Sequence, residues 1–229
     1  MDVRPVPGLE HLPYAEVWLH AVDDDAWHAA SDAAREIDKA GLEVWTTTRT
    51  PDVAPWLERK GYDEVRRYVI SELDVATAKD LGEPRFEIVT FGDRPDLEDE
   101  LHALARLAYA DQPARSESRI NNWPEWGLHA HRPDGYFIAL EDGRLLGYGY
   151  LQLEGDVWSN GFMAVAREAR GRGVAGALKR AQIRWARQQG IATLRTANEV
   201  RLDSMLAMNR RFGYAELYEE IVLRGPLAG

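Results

Sequence analysis

The chain contains no cysteine among its 229 residues. This absence excludes disulfide bonds, thiolate metal sites and a cysteine nucleophile, and it is compatible with a cytoplasmic protein. Long apolar runs are also missing, since no stretch approaches the roughly 18 residues of a membrane span. The first residues, MDVRPVPGLEHLPY, have neither the basic start nor the apolar run of a secretory signal. The sequence therefore predicts a cytoplasmic location and no membrane partner.

Basic residues are fewer than acidic ones, 28 against 38, and the formal charge is −10. Nucleic-acid phosphates require a basic surface, so nucleic acid is not an expected partner. The basic residues are nevertheless concentrated between Arg167 and Arg187. A local basic patch on an acidic chain suits a soluble anionic ligand.

The most informative segment lies within this patch. Arg170, Gly171, Arg172, Gly173, Val174 and Ala175 form a glycine-punctuated turn that opens into an amphipathic helix. Glycines let the backbone approach a ligand closely, and the start of a helix presents unpaired N–H groups and a positive dipole end. The turn therefore predicts a phosphate or pyrophosphate site. A plain tight strand-to-helix connection has the same sequence pattern and stays open on the turn alone.

The turn has the surroundings of a parallel βαβ unit. Val157 to Val165 is a predicted strand, Val174 to Gln189 a helix that ends at Gly190, and Ile191 to Thr196 a second strand. The helix is predicted to bury one face and to place its basic residues largely elsewhere; the buried set is Val174, Leu178, Ala181 and Trp185, and the basic set is Lys179, Arg180, Arg184 and Arg187. Ligands of such units lie at the carboxyl ends of the strands.

Two nucleotide-binding patterns fit this segment poorly. Gly171 to Gly176 satisfies the GxGxxG spacing, but it lies too late in the chain for a doubly wound domain to follow. The next strand ends in Arg195 and Thr196, without the acidic residue that would hold a ribose. No Gly-Lys-Ser/Thr follows, so the Walker A motif is absent.

The pattern of Arg170, Gly173 and Ala175 after a strand ending in Val165 resembles the pyrophosphate loop of the GNAT superfamily, the acetyl-CoA-dependent N-acetyltransferases. The segment from Asn198 to Tyr214, NEVRLDSMLAMNRRFGY, is similar to the next family segment. The resemblance covers about Pro84 to Leu227. It implies an α/β GNAT fold, whose mixed, mostly antiparallel sheet contains a parallel βαβ unit for the cofactor.

The resemblance also implies which residues bind acetyl-CoA. Backbone groups of Met163, Ala164 and Val165 would hydrogen-bond to the pantetheine arm. Asn198 would also contact this arm, but a helix cap is an equally good interpretation of Asn198. The amides of the loop would bind the pyrophosphate, with charge-assisted contacts from its arginines. The loop residues in question are Arg170, Gly171, Arg172, Gly173, Val174, Ala175 and Gly176.

An internal repeat predicts two copies of this architecture. Gly41 to Ile70 and Gly190 to Val222 share a strand, a polar link, a helix, a Gly-Tyr pair and a final strand. Residues 1–80 are therefore predicted to be a degenerate half-GNAT scaffold, and residues 84–229 the complete acetyltransferase domain, as in tandem GNAT proteins such as mycothiol synthase. Asp23, Asp24 and Asp25 stand where the first copy would need its glycine loop, and they would repel a phosphate. Chance similarity between two βαβ pieces is the alternative.

The catalytic residues depart from the family pattern. Many relatives place a proton-donating Tyr where this chain has Asn209, which has no proton to give at neutral pH. Some place a carboxylate base where this chain has Ser159, which acts only through water. Glu199, with Glu154 and Asp156, is predicted near the mouth of the site as a base or as a solvated charge. His129 and His131 have no third ligand at suitable spacing, so no metal site is predicted.

Trp123, Trp126 and Tyr136 lie in or beside the segment that forms the acceptor wall in relatives, and they either line a pocket or fill the core between the copies. The function predicted is transfer of an acetyl group from acetyl-CoA to the amine of a small molecule or peptide by direct attack. The alternative is an idle CoA-binding module acting as a sensor or interaction domain. Self-association into a homodimer stays open.

Overall fold

The computed structural model describes residues 2–5, 12–79, 82, 85–111 and 133–229. Its strands are β1 (Arg4–Pro5), β2 (Tyr14–Trp18), β3 (Gly41–Thr47), β4 (Asp63–Asp74), β5 (Glu87–Thr90), β6 (Tyr136–Glu141), β7 (Arg144–Glu154), β8 (Val157–Val165), β9 (Thr193–Glu199) and β10 (Ala215–Pro226). The α-helices of the described residues are α1 (Asp24–Glu36), α2 (Val53–Arg59), α3 (Glu98–Ala110), α4 (Val174–Gln188) and α5 (Asp203–Phe212). The mixed α/β architecture predicted from the sequence is confirmed.

The chain forms two compact units that are each discontinuous in sequence. The first comprises Met1–Ile70, Asn198–Arg201 and Leu217–Gly229, and the second comprises Ser71–Ala197 and Leu202–Glu216. This division reflects packing, whereas the predicted boundary between residues 80 and 84 concerns two related copies. The two-copy hypothesis therefore stays a prediction.

The sheet of the first unit is completed by the last strand of the chain. β2 pairs with β3 in parallel, and β10 pairs antiparallel with β3 from Glu220↔Thr47 to Pro226↔Gly41. Alternate residues of β3 point to opposite faces, so Leu42 and Val44 pack into the apolar core with Trp27 of α1 and Leu57 of α2. Burial of these side chains holds both helices on the sheet.

The opposite face of β3 carries a buried ionic cluster. Glu43 is fully buried, and its carboxylate forms ion pairs with Arg66 of β4 and with Arg224 of β10. Nε of Arg224 donates to Oε2 of Glu43 at 2.8 Å. Two cations are needed here because a buried carboxylate is costly unless it is paired and hydrogen-bonded.

Asp23 caps α1 in the first unit, where its side chain accepts a hydrogen bond from the backbone N–H of Ala26 at 2.9 Å. Asp24 and Asp25 occupy the first helical turn. Negative side chains at this end stabilise the helix dipole. The three carboxylates thus have a local structural role at the start of α1.

The second unit is an antiparallel meander, β5-β6-β7-β8, followed by the parallel strand β9. Alternation along β6 divides its side chains between two helices. Phe137 and Ala139 pack in the core with residues of α4, whereas Tyr136, Ile138 and Leu140 pack with residues of α3. Asp142 and Gly143, which both have positive φ, form the hairpin turn between β6 and β7.

Candidate functional site

Two parallel strands of the second unit form a wedge. β8 and β9 are partners only at Ser159↔Arg195 and Asn160↔Thr196. Beyond this point β8 continues from Gly161 to Val165 without β9 as its partner. The parallel pair that the sequence predicted is therefore confirmed, and its short register leaves backbone groups along one edge of β8 available to an extended ligand.

The closed end of this wedge is the end where β8 and β9 still pair, and a β-bulge lies there. On the β7 side the register shifts between Gly149↔Met163 and Leu151↔Asn160, so β8 has one extra residue there. A Cβ on Gly161 would lie 1.9 Å from the ring of Tyr150, and only glycine fits. The bulge turns the backbone of β8 away from a regular ladder at the point where β9 diverges.

The glycine turn lies after the open end of β8 and has the conformation that an anion site needs. Gly171 and Gly173 have φ of 76° and 93°, in the left-handed region that other residues resist. Gly173 is the N-cap of α4, and no side chain caps the helix there. A Cβ placed on Gly171, Gly173 or Gly176 meets nothing within 4 Å. The turn from Gly171 to Gly176 is therefore an open glycine cradle, and the first turn of α4 presents uncapped backbone N–H groups to it.

The two arginines of the turn are held by carboxylates. Nη2 of Arg170 donates to Oδ2 of Asp111 at 2.6 Å, and Nη2 of Arg172 donates to both carboxylate oxygens of Glu141 at 2.6 Å. Arg167 also pairs with Asp111. The guanidinium groups of Arg167 and Arg170 hold the pKa of the Asp111 carboxyl well below its usual range. The arginines are exposed, so an incoming anion competes with these carboxylates for them.

A buried polar cluster lies at the closed end of the wedge. The hydroxyl of Tyr214 donates to Oδ1 of Asn160 at 2.6 Å, and Nδ2 of Asn160 donates to Oε1 of Gln182 at 3.0 Å. Nε2 of Gln182 is buried, and in the described part of the chain it has no hydrogen-bond partner. Burial raises the pKa of Tyr214 well above its ordinary value. The hydroxyl is therefore a hydrogen-bond donor and not an anion.

Lys179 of α4 completes the cluster. Its side chain is 1% exposed, and its Nζ lies 4.9 Å from the centre of the Tyr214 ring. Burial lowers the pKa of Lys179 to about 7. The expectation that Lys179 lies away from the buried face of the helix is wrong. The buried face is wider than the predicted stripe and includes Gln182 and Ile183, which follow Lys179 at helical spacing.

Three of the predicted catalytic residues, Ser159, Asn209 and Glu199, are buried. Ser159 is buried at the first β8–β9 pair. Asn209 is buried in α5, where its backbone carbonyl accepts hydrogen bonds from the backbone N–H groups of Gly213 and Tyr214. Glu199 is 5% exposed and pairs with Arg201 at 3.7 Å, so the reading of it as a solvated charge is wrong. Glu154 is exposed at the β7–β8 turn.

The predicted cofactor and acceptor residues fall in different places. Met163, Ala164 and Val165 end β8 along the wedge. Asn198 belongs to β9 and to the first unit. Tyr136 is 1% exposed and stacks on Tyr148 and Tyr150 inside the core of the second unit, with ring centroids 5.1 and 5.2 Å apart. Trp123, Trp126, His129 and His131 lie outside the described residues.

The sequence did not predict the buried polar cluster of Asn160, Gln182, Lys179 and Tyr214. Tyr214 was predicted to be core, and it is buried, but its hydroxyl reaches across to β8. The signal in the sequence was the position of Lys179, because Gln182, Ile183 and Ala186 follow it three, four and seven residues later and share its face of the helix.

None of the helices in the described ranges is long and apolar enough to cross a membrane.

Solved structures with the same fold are numerous. A GCN5-related N-acetyltransferase from Sphaerobacter thermophilus has a TM-score of 0.72 at 17% sequence identity, and the superposition covers 100% of this chain and 76% of that one. A tandem GNAT protein from the clavulanic acid biosynthesis pathway, solved without AcCoA, has a TM-score of 0.64 at 18% identity, with 95% and 76% coverage. A GCN5-related N-acetyltransferase from Kribbella flavida gives 0.62 at 15% identity, with 94% and 82% coverage.

A search of curated proteins finds no match. The model of the acetyltransferase (GNAT) family matches residues 97–214, which is just over half of the chain. The matched range contains the wedge, the glycine turn and the buried polar cluster. The chain belongs to the GNAT acetyltransferase family.

Proposed function

We propose that this protein is an N-acetyltransferase that transfers an acetyl group from acetyl-CoA to the amine of a small molecule or peptide. The observation that carries the proposal is the open, uncapped glycine cradle at Gly171–Gly176, which follows a strand whose partner diverges. These features fit a ligand with phosphates at one end and an extended arm. Family membership supports an acyl-transfer reaction.

The residues that would hold acetyl-CoA follow from this geometry. The amides at the start of α4 would bind the pyrophosphate, with Arg170 and Arg172 exchanging their carboxylate partners for phosphate oxygens. The edge of β8 from Met163 to Val165 would hydrogen-bond to the pantetheine arm, and Asn198 is a further proposed contact. Acetyl-CoA supplies an activated thioester.

The protein's part in the chemistry is to bind and orient the two substrates. Direct attack of a neutral amine on the thioester requires no covalent enzyme intermediate. An amide has no proton to transfer and a serine hydroxyl is a weak base, so the proposed roles of Asn209 and Ser159 are a hydrogen bond and a water relay. Glu199 is a proposed base only if its pairing with Arg201 opens.

The first unit is proposed to be a scaffold derived from a second, degenerate GNAT copy. The support is its parallel strand pair, β2 and β3, with α1 between them, which has the order of the βαβ unit in the other copy. Its helix starts with Asp23, Asp24 and Asp25, and these carboxylates disfavour phosphate.

Thermal unfolding with and without acetyl-CoA tests the proposal. A ligand at about 100 times its dissociation constant stabilises the native state by about 2.7 kcal/mol, which corresponds to a rise of roughly 5–10 °C for a chain of this size. Gly173→Asp should abolish the rise, because it blocks the cradle and adds a negative charge. Asp24→Lys is the matched control and should leave the ligand-induced rise unchanged.

Each outcome separates the candidate functions. No rise at millimolar acetyl-CoA in the wild-type protein would refute the proposal. A rise without thiol release, when a panel of amines is supplied, would favour the idle CoA-binding module that the sequence left as the alternative. A rise that persists in Gly173→Asp would place the ligand elsewhere.

A further inference from the structure

Lys179 is a buried amine that has no counter-ion among the described residues. The side chain is 1% exposed, and burial alone accounts for its lowered pKa, with no contribution from a described carboxylate. A charged ammonium in such a place is costly unless an anion pairs with it. Gln182, one helical turn further along α4, has a buried Nε2 that also lacks a partner within the described ranges. Two donors on one helix face therefore await an acceptor that the described protein does not provide.

The position of these donors indicates what the acceptor is. Gln182 and Tyr214 both hydrogen-bond to Asn160, the last residue of β8 that pairs with β9. Lys179 packs against the ring of the same tyrosine. The cluster thus lies at the closed end of the wedge, whereas the glycine cradle follows its open end.

The length of the wedge matches the acyl donor of the proposed function. Val165 and Asn160 are five residues apart, which is roughly 17 Å of extended strand. A ligand with its pyrophosphate at the cradle and its arm along β8 would bring its far end, the sulfur, to the closed end. This step rests on the proposed function. With acetyl-CoA bound in that way, the reacting atoms would lie beside the buried polar cluster at the closed end of the wedge.

We propose that Lys179 is a catalytic residue that donates a proton to the sulfur of the acyl donor as the acyl group leaves. The lone pair of the acceptor nitrogen forms the new C–N bond, and the C–S bond breaks with its electron pair on sulfur. The Lys179 ammonium gives its proton to that sulfur. The proton lost by the acceptor nitrogen returns to Lys179 through solvent, so the residue is regenerated and no other reactant is needed.

Lys179 thus takes the role of proton donor to the leaving sulfur, which Asn209 cannot perform because an amide has no proton to transfer. A group with a pKa near neutral is well suited to give and regain a proton, and a leaving thiolate accepts one readily from it, because the corresponding thiol has an ordinary pKa near 8.5. Gln182 would donate its free Nε2 hydrogen bond to the same region and act as a positioning residue.

Binding of CoA and of desulfo-CoA, which lacks the sulfur, provides a test that does not depend on turnover. Isothermal titration at pH 7 should show that the wild-type protein binds CoA at least tenfold more tightly than desulfo-CoA, because the sulfur of CoA and the amine of Lys179 share a proton in a hydrogen bond. Lys179→Met should remove this preference while still binding both ligands. Lys79→Met changes an exposed lysine of the same unit and should retain the preference.

The outcomes separate this inference from the proposed function. If neither ligand binds the wild-type protein, the proposed function and the assignment of Lys179 both fail. If the wild-type protein binds both ligands equally, the assignment is overturned while the proposed function stands. A preference for CoA that survives in Lys179→Met would likewise overturn it.

Discussion

Replacing Lys179 with methionine should stabilise the protein, and by an amount that depends on pH. Methionine keeps the unbranched side chain in the core but removes the buried amine. The pKa of Lys179 falls from 10.5 to about 7 in the folded protein, and each pH unit between these values corresponds to about 1.4 kcal/mol. The lysine therefore lowers the free energy of unfolding by about 5 kcal/mol at most. Loss of the cation above the Tyr214 ring offsets about 1 kcal/mol of the gain.

The sign follows from proton binding. Between pH 7 and pH 10.5 the unfolded chain holds a proton on this amine that the folded protein does not, so lowering the pH favours unfolding. Below pH 7 both states are protonated and the cost is constant. The advantage of Lys179→Met should therefore be near zero at pH 10.5, grow as the pH falls, and reach its full value by about pH 6.

Thermal unfolding of both proteins across this pH range measures the effect. At pH 6 we expect Lys179→Met to unfold roughly 10 °C above the wild-type protein, since 1 kcal/mol shifts the midpoint by about 2–4 °C at this size. Other titrating groups affect both proteins alike and cancel in the difference. A difference that is independent of pH, or a methionine variant that is less stable at pH 6, would refute the reasoning, because it would mean that a partner stabilises the ammonium.

Three further changes probe the fold and the cradle. Glu43→Gln should lower the free energy of unfolding in urea by about 3 kcal/mol, since it removes the anion that the buried Arg66 and the partly buried Arg224 share; Glu216→Gln, which breaks an exposed pair, should change it by less than about 0.5 kcal/mol, and equal effects would contradict the role of burial. Gly161→Ala should cost about 1–3 kcal/mol, because the new Cβ collides with Tyr150; an unchanged urea midpoint would argue against the bulge. Asp111→Asn should raise acetyl-CoA affinity by about threefold at low salt by freeing two arginines; weaker binding would mean that the carboxylate positions them for phosphate.

Local features of the fold were predictable from the sequence. Gly173 starts a helix and Asp142-Gly143 forms a hairpin turn because the required backbone conformations are local properties of these residues. β8 ends at Val165 as predicted, since its β-branched and aromatic pattern is interrupted there by the loop.

Features that depend on distant contacts were not predictable. The burial of Lys179 is decided by how α4 packs in the core of the second unit, and periodicity within the helix underestimates the width of its buried face. Pairing of β10 with β3 leaves no local signal, since the partners are far apart in sequence. The family resemblance predicted the cradle, but its catalytic positions fall on Asn209 and Ser159 and not on the residues of the buried polar cluster.

The pairing of β10 with β3 has a consequence for biosynthesis. Ile221 and Leu223 belong to the same apolar core as Leu42 and Val44, although about 180 residues separate them. During translation at about 5–20 residues per second, the N-terminal strands must wait roughly 10 s or more for their last neighbour to leave the ribosome. In that interval the edge of β3 is an unpaired strand edge that can capture another chain. The earliest part of the protein to be made is thus among the last to be finished, and it is the segment for which a chaperone would matter most.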